Sequence, residues 1–157
     1  MNILKLSFVL SFFLFSFSCK KGSEDTVNID ARASILLLNN QSKNLLSEPV
    51  EIKYEDINIY YMIDGKKVLQ YHGNLDYPKM FRIIQDKDGE NILDVYLNIT
   101  NEAMPVTLIS FSDSETDTIR SEYRREKGSV ICTKIWYNDE LKFDINTSSD
   151  HRFTVIK

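Results

Sequence analysis

The chain reads as an all-β protein: an antiparallel β-sandwich, immunoglobulin-like or related, of roughly nine strands, with a small up-and-down β-barrel as the alternative. Three observations point there. Apolar residues recur at period two along most of residues 34–157, and no window beyond residue 18 carries a sustained helical stripe. The runs are separated by turn-forming pairs such as Asp64-Gly65 and Lys127-Gly128. Beyond the first 18 residues the core must be built from Ile, Leu, Val and Tyr, because five of the nine phenylalanines lie in that first stretch while all eight tyrosines lie after it.

The elements follow in order. Residues 35–38 form an early strand, and residues 39–56, with Glu48-Pro49, form a longer crossover. Ile57, Ile59, Tyr61 and Ile63 alternate with polar or amphipathic neighbours, Asp64-Gly65 supplies a two-residue hairpin turn, and residues 66–71 return. Residues 81–84 lead through Asp86-Lys87-Asp88-Gly89 to Leu93, Val95, Leu97 and Ile99. Thr107, Ile109 and Phe111 lead through an acidic turn to Ile119, Ser121 and Tyr123, with Arg120, Glu122 and Arg124 on the opposite face. Residues 130–137 are apolar on both faces and belong in the middle of a sheet. Asn138-Asp139 turns the chain into Leu141, Phe143 and Ile145, and residues 153–156 close the domain.

The first 18 residues are expected to be a cleaved lipoprotein signal peptide. Lys5 precedes a 12-residue apolar run, residues 6–17, which is too short to cross a hydrocarbon core of about 30 Å, and the run ends at Ser18-Cys19. Cys19 is then the lipidation site, since its thiol takes the diacylglyceryl group before the leader is cut. Residues 19–33 are a lipidated, flexible tether that opens with Lys20-Lys21-Gly22-Ser23-Glu24-Asp25, and residues 34–157 are a single β domain. Several acyl chains, each buried CH₂ contributing about 0.8 kcal/mol, anchor a protein durably.

Removing the leader takes away one lysine, Lys5, so 18 basic residues of the 19 face 23 acidic ones. That balance and the interleaving of Arg120, Arg124 and Arg125 with Glu122 and Glu126 argue against nucleic acid as a partner. With Cys19 acylated, only Cys132 remains, so no intramolecular disulfide is available, and its apolar surroundings predict a buried inert thiol.

The segments Asp56-Ile57-Asn58-Ile59-Tyr60-Tyr61, Asn74-Leu75-Asp76-Tyr77-Pro78, Asp117-Thr118-Ile119 and Cys132-Thr133-Lys134-Ile135-Trp136-Tyr137-Asn138 resemble those of small Bacteroidota envelope lipoproteins to which no activity is attached. The resemblance implies an outer-membrane, lipid-anchored location, either cell-surface exposed or facing the periplasm, and no catalytic site. It also makes Thr26 and Thr118, each between Asp and an apolar residue, candidate O-glycosylation sites; Asn98 and Asn146 fit the N-glycan pattern with less weight.

No catalytic, cofactor or metal motif stands out. Asp86, Asp88 and Glu90 lack the spacing of a calcium loop and read as a hairpin turn. Asp113, Glu115 and Asp117 read as solvated turn acids, and His72 and His151 sit in no recognisable triad or ligand pattern. Tyr60, Tyr71, Tyr77, Tyr96 and Tyr137 are the best clue to binding, Tyr60 and Tyr77 above all, and Tyr77-Pro78 is expected to be an ordinary trans bend. The expected function is a non-enzymatic binding module at the outer membrane, held by acylated Cys19 and engaging a glycan or protein partner. The alternatives are a lipocalin-like carrier of a small apolar ligand, which needs a hollow barrel, and a small envelope hydrolase, which needs a histidine beside two carboxylates.

Overall fold

The computed structural model describes residues 27–157, so the expected leader, Cys19 and Thr26 lie outside the described residues. The described residues form eleven strands and no helix: β1 (Ile29–Asp30), β2 (Arg32–Leu38), β3 (Asn58–Ile63), β4 (Lys66–Leu69), β5 (Phe81–Gln85), β6 (Asn91–Tyr96), β7 (Val106–Ser110), β8 (Thr116–Glu126), β9 (Ser129–Tyr137), β10 (Glu140–Asp144) and β11 (Arg152–Ile156). They sort into two sheets. The larger runs β1-β9-β8-β7-β3-β4, with β10 also on β9, and the smaller runs β11-β2-β6-β5. The sheets are not closed on each other, so the fold is a β-sandwich and the barrel alternative falls away.

Two pairings depart from a purely antiparallel plan. β1 runs parallel to β9, with Ile29 opposite Val130, and β11 runs parallel to β2, with Arg152 opposite Ser34 and Ile156 opposite Leu38. Parallel neighbours cannot come from hairpins, so both depend on chain far away in sequence. The folded region also begins before residue 34, because Ile29–Asp30 and Arg32–Leu38 are already in ladders. As expected, β9 is internal: β8 lies on one side, and β1 and β10 share the other.

Period two decides the core. Ala33, Ile35 and Leu37 of β2, Leu93 and Val95 of β6, and Phe81, Phe153 and Val155 face Ile57, Ile59, Ile109, Ile119, Cys132 and Ile135 across the interior. Tyr61 and Tyr123 point inward from the large sheet and donate their hydroxyls to the carbonyls of Tyr96 and Asn98, both at 3.0 Å. These bonds tie the two sheets at the end of β6. Burial, the largest influence on each, pushes both phenols above their ordinary range, so they remain neutral donors.

The turns follow their sequences. Asp64 and Gly65 take φ of 51° and 73°, Lys127 and Gly128 take 47° and 83°, and Asn138 and Asp139 take 47° and 71°, as tight hairpins between twisted strands require. The crossover folds onto the core through Leu45 and Leu46, with Asn44 donating to Asn91 carbonyl at 3.0 Å. Its Glu48–Pro49 bond is cis, whereas Tyr77–Pro78 is trans.

The outer face of the small sheet is covered, which alternation alone does not foresee. Ile92 and Asp94 have outward parity on β6, yet each is only 1 % exposed. Asp94 takes Arg82 Nε at 2.8 Å, Ser34 Oγ at 2.9 Å and Arg32 at 3.4 Å. Arg152 meanwhile clasps Asp86 at 2.6 Å, drawing the β5–β6 turn over the sheet.

Replacing Ile35 by Ala should lower unfolding free energy by about 3 kcal/mol in equilibrium denaturation, because a fully buried side chain leaves a cavity. Ile156→Ala, at a residue 66 % exposed, should change it by less than about 0.5 kcal/mol.

Candidate functional site

With the small sheet covered, the outer face of the large sheet remains open among the described residues, and Tyr60 lies on it. The register sets Leu69, Tyr60, Leu108 and Thr118 in one cross-strand row. A second row holds Lys67 opposite Met62, Val106 opposite Arg120, Arg120 opposite Trp136, and Trp136 opposite Leu141. Leu69 and Leu141, at the two flanks, are 52 % and 49 % exposed, and Tyr60, Met62, Leu108 and Trp136 between them are half-buried. Three strand spacings, about 14 Å, separate the strands that carry Tyr60 and Trp136.

Charges lie around this band and, at Arg120, within it. Lys67 Nζ sits 4.0 Å above the Tyr60 ring and Lys134 Nζ 5.8 Å above that of Trp136. Arg120 pairs with Asp139 at 2.5 Å and Lys134 with Glu122 at 3.4 Å. Such exposed pairs contribute little to stability, so the charges are free to re-pair with a partner at small cost. Aromatic and aliphatic side chains with an arginine among them and charges around them are the composition of a protein-binding surface.

Tyr77 lies elsewhere. Its ring stacks on Tyr96 at 5.9 Å, and Arg82 sits 5.1 Å from its centroid and donates to its hydroxyl at 3.2 Å. Leu75, Asp76, Met80 and the two rings line an open depression of about 300 Å³. The stack caps the Asp94 cluster, and with its hydroxyl engaged Tyr77 serves first to cover the small sheet. Of the other tyrosines, Tyr71 is largely exposed beside His72, and Tyr137 is buried.

Asp117 departs most from expectation. It is buried rather than solvated: Asn138 donates to its Oδ1 at 2.7 Å, and Tyr137 Oη and Lys157 Nζ both reach Oδ2. Lys157 also pairs with Glu115 at 2.6 Å and lies 4.2 Å from the Phe111 ring centroid. Burial works against the Asp117 charge, but the bonds from Asn138, Lys157 and Tyr137 outweigh it and hold the carboxyl below its ordinary range. Burial, then the bond to Asp117, drives the Tyr137 phenol far upward, so it stays a proton donor. The cluster fastens the end of β11 to the large sheet and borders an open groove of about 410 Å³ between the edges of β10 and β11.

The remaining candidates resolve individually. Asp86 accepts from the amides of Asp88 and Glu90, both at 2.9 Å, besides pairing with Arg152, so its oxygens serve the turn. His151 lies 3.5 Å from Asp30 and packs edge-on against Phe143 at 4.2 Å, whereas His72 contacts Gln70. Burial pushes the Cys132 thiol up to about 12, which leaves it unreactive at neutral pH. Asn98 is buried and spends its amide on the carbonyls of Met62 and Val106, so it is no surface acceptor for a glycan. Thr118 is half-buried on the open face, as its parity predicted, with its amide bonded to Asn138. Among the described residues, no three of His, Cys, Asp and Glu converge as a metal would need. Comparison with family models, curated proteins and solved structures finds no match to this chain.

The Asp117 cluster has a pH signature. A carboxyl depressed on folding contributes stability that is fully present above its unfolded value, about 3.9, and lost as pH falls through the folded value. Asp117→Asn should therefore destabilise the protein by about 1–3 kcal/mol at neutral pH. In urea melts across the acid range the variant should lack part of the stability loss of the native chain below about pH 4.

Proposed function

We propose that the chain is a non-enzymatic binding module of the cell envelope, anchored at the outer membrane through acylated Cys19 and displayed at the cell surface, and that it engages a protein partner with the outer face of its large sheet. The observation that carries this reading is the open band from Leu69 through Tyr60, Leu108 and Trp136 to Leu141, crossed at β8 by Thr118 and Arg120, on a sheet face that no other element covers among the described residues. A glycan is the weaker ligand for this surface. Sugars want several planar polar side chains beside the aromatic rings, and here Arg120 is the one such group among Leu108, Val106, Met62 and Thr118 between the rings. Aromatic anchors among apolar neighbours suit a complementary protein face, with Trp136 and Tyr60 as the residues that dominate affinity. The hydrolase reading finds no support at His72 or His151, neither of which lies beside two carboxylates among the described residues. The carrier reading lacks its barrel, because the two sheets are separate and their interior is filled.

The anchor is tested by intact mass and membrane partition in a Bacteroidota host. A lipid-sized mass increment and membrane association should both disappear in Cys19→Ala, and protease added to whole cells should shave the native protein. An unmodified, soluble native protein would overturn the anchor.

The binding face is tested by a photo-crosslinking residue placed at Leu69 or Leu141 in the native envelope. It should yield discrete protein adducts that Trp136→Ala weakens by about tenfold or more, equivalent to at least 1.4 kcal/mol. Equal adducts from a probe at Val50, outside this face, or none from either position, would sink the assignment.

A further inference from the structure

Among the described residues, β11 is in a ladder on one side only, that of β2. His151 carbonyl accepts from Ser34 N–H at 3.1 Å and Lys157 N–H donates to Leu38 carbonyl at 2.8 Å. Between these two bonds the register runs unbroken from Arg152 opposite Ser34 to Ile156 opposite Leu38. Alternate residues of a strand bond to the same neighbour, so Phe153 and Val155 turn their peptide groups to β2, and Arg152, Thr154 and Ile156 turn theirs away. The Arg152 amide is taken by Asp150 Oδ1 at 3.1 Å. The N–H and C=O of Thr154 and Ile156 meet no other strand among the described residues, and they border the groove beside β10.

The other long edges carry the devices that keep strands from pairing with a foreign chain. β4 exposes Lys66 and Lys67. β10 shifts register between Leu141 and Phe143 and carries Glu140, Lys142 and Asp144. β5 is flanked by the crossover: the Tyr54 ring lies 4.8 Å from that of Phe81, and Lys79 Nζ donates to the carbonyls of Glu55 at 2.9 Å and Ile57 at 3.0 Å. β11 has neither proline nor lysine nor a shift in register between Arg152 and Ile156. Its one charge, Arg152, is drawn back onto Asp86. Ile156, at the end of this bare edge, is an exposed apolar residue.

We propose that the β11 edge is a self-association surface, at which a second copy of this chain adds its own β11 antiparallel across a two-fold axis. The edge is complementary to itself under that axis. Pairing centred on Val155 sets Thr154 opposite the second copy's Ile156 and Ile156 opposite its Thr154, so the free N–H and C=O groups of both residues find partners. Val155 then meets its counterpart, and the exposed Ile156 side chain lies beside a threonine. Arg152 is held by Asp86, Lys142 by Glu140, and Lys157 by Glu115 and Asp117, so the cations along the edge are neutralised within their own copy and the two copies meet without like-charge repulsion. Two layers about 10 Å apart meeting along about 17 Å of strand bury on the order of 1,000 Å² in total, the low end for a specific interface, so a micromolar dimer follows. An axis normal to the sheet leaves both large-sheet faces on the same side. For the binding face proposed above, the dimer therefore presents two apolar bands to one partner assembly.

The core cluster lies between Ala33 and Val155, so residues 20–157 retain it with every described strand and serve for the test independently of the anchor. In sedimentation equilibrium this chain should dimerise with a dissociation constant of about 10–100 μM. Thr154→Pro removes an outward N–H and leaves the bonds to β2 in place, and should weaken the dimer about tenfold or more. Leu69→Pro is the matched control on the β4 edge, since Gln70 N–H donates to Ile59 carbonyl and Leu69 N–H therefore also faces outward; it should change dimerisation by less than about twofold. Ile156→Lys, at an exposed position, should weaken the dimer like Thr154→Pro and decides the matter where the proline variant no longer melts cooperatively. In hydrogen exchange the Thr154 and Ile156 amides should slow as the protein concentration passes through the dissociation constant, while those of Phe153 and Val155 stay unchanged. A chain that remains monomeric at about 0.5 mM would overturn the proposal and leave the edge to a strand of another protein. Equal weakening by Leu69→Pro, or Thr154 and Ile156 amides indifferent to concentration, would overturn it as well.

Discussion

The parallel pairing of β2 with β11 is the constraint on which the rest depends. It joins residues 34–38 to residues 152–156, so the small sheet is complete only when almost the whole described chain has been placed. Without β11, Ile35 and Leu37 lose Phe153 and Val155 as core neighbours, and β2 becomes a bare edge. Lys157, one residue further, would no longer reach Asp117 on the large sheet. Such distant pairings form late and cooperatively, because loop closure has to be met before their contacts stabilise anything.

The sandwich treats its two outer faces differently. The small sheet turns Ile92 and Asp94 outward and then buries them under a turn and a loop that Arg152, Arg82 and Arg32 hold down. A buried carboxylate is tolerable only when its charge and lone pairs are met, and Asp94 meets two guanidinium groups and a serine hydroxyl. Among the described residues, the large sheet has no such cover. Its apolar band is stabilised by packing within the sheet and by lysine chains lying over the rings. Among the described residues, the large sheet therefore keeps the more open outer face, because the small sheet's outer face is occupied by its own turn and loop.

Polarity along the strands adds a second asymmetry. Asn28 with β1, the Asn98 bracket and the β8–β9 turn lie at one end, and the Asp117 clasp and the acidic turns at the other. Each end is held by buried polar groups rather than by strand pairing: Asn98 bridges the 97–105 loop to β3 and β7, and Asp117 bridges β8, the β9–β10 turn and the end of the chain. Losing either would loosen one end while leaving the apolar interior largely in place.

The sequence by itself determined the strand class, most inward residues and the hairpins. These are local consequences: side chains alternate every residue along a strand, and Asp64-Gly65, Lys127-Gly128 and Asn138-Asp139 adopt the positive φ that tight turns require. Tyr60 on an open face and Cys132 in the core were legible for the same reason. Tertiary structure alone decided the parallel pairs, the burial of Ile92, Asp94, Asn98 and Asp117, and which sheet face stays open. Each of these depends on cover or pairing from residues distant in sequence, as Arg32 with Asp94 and Lys157 with Asp117 illustrate. Alternation can tell one face of a strand from the other, but it cannot tell what will be folded over that face.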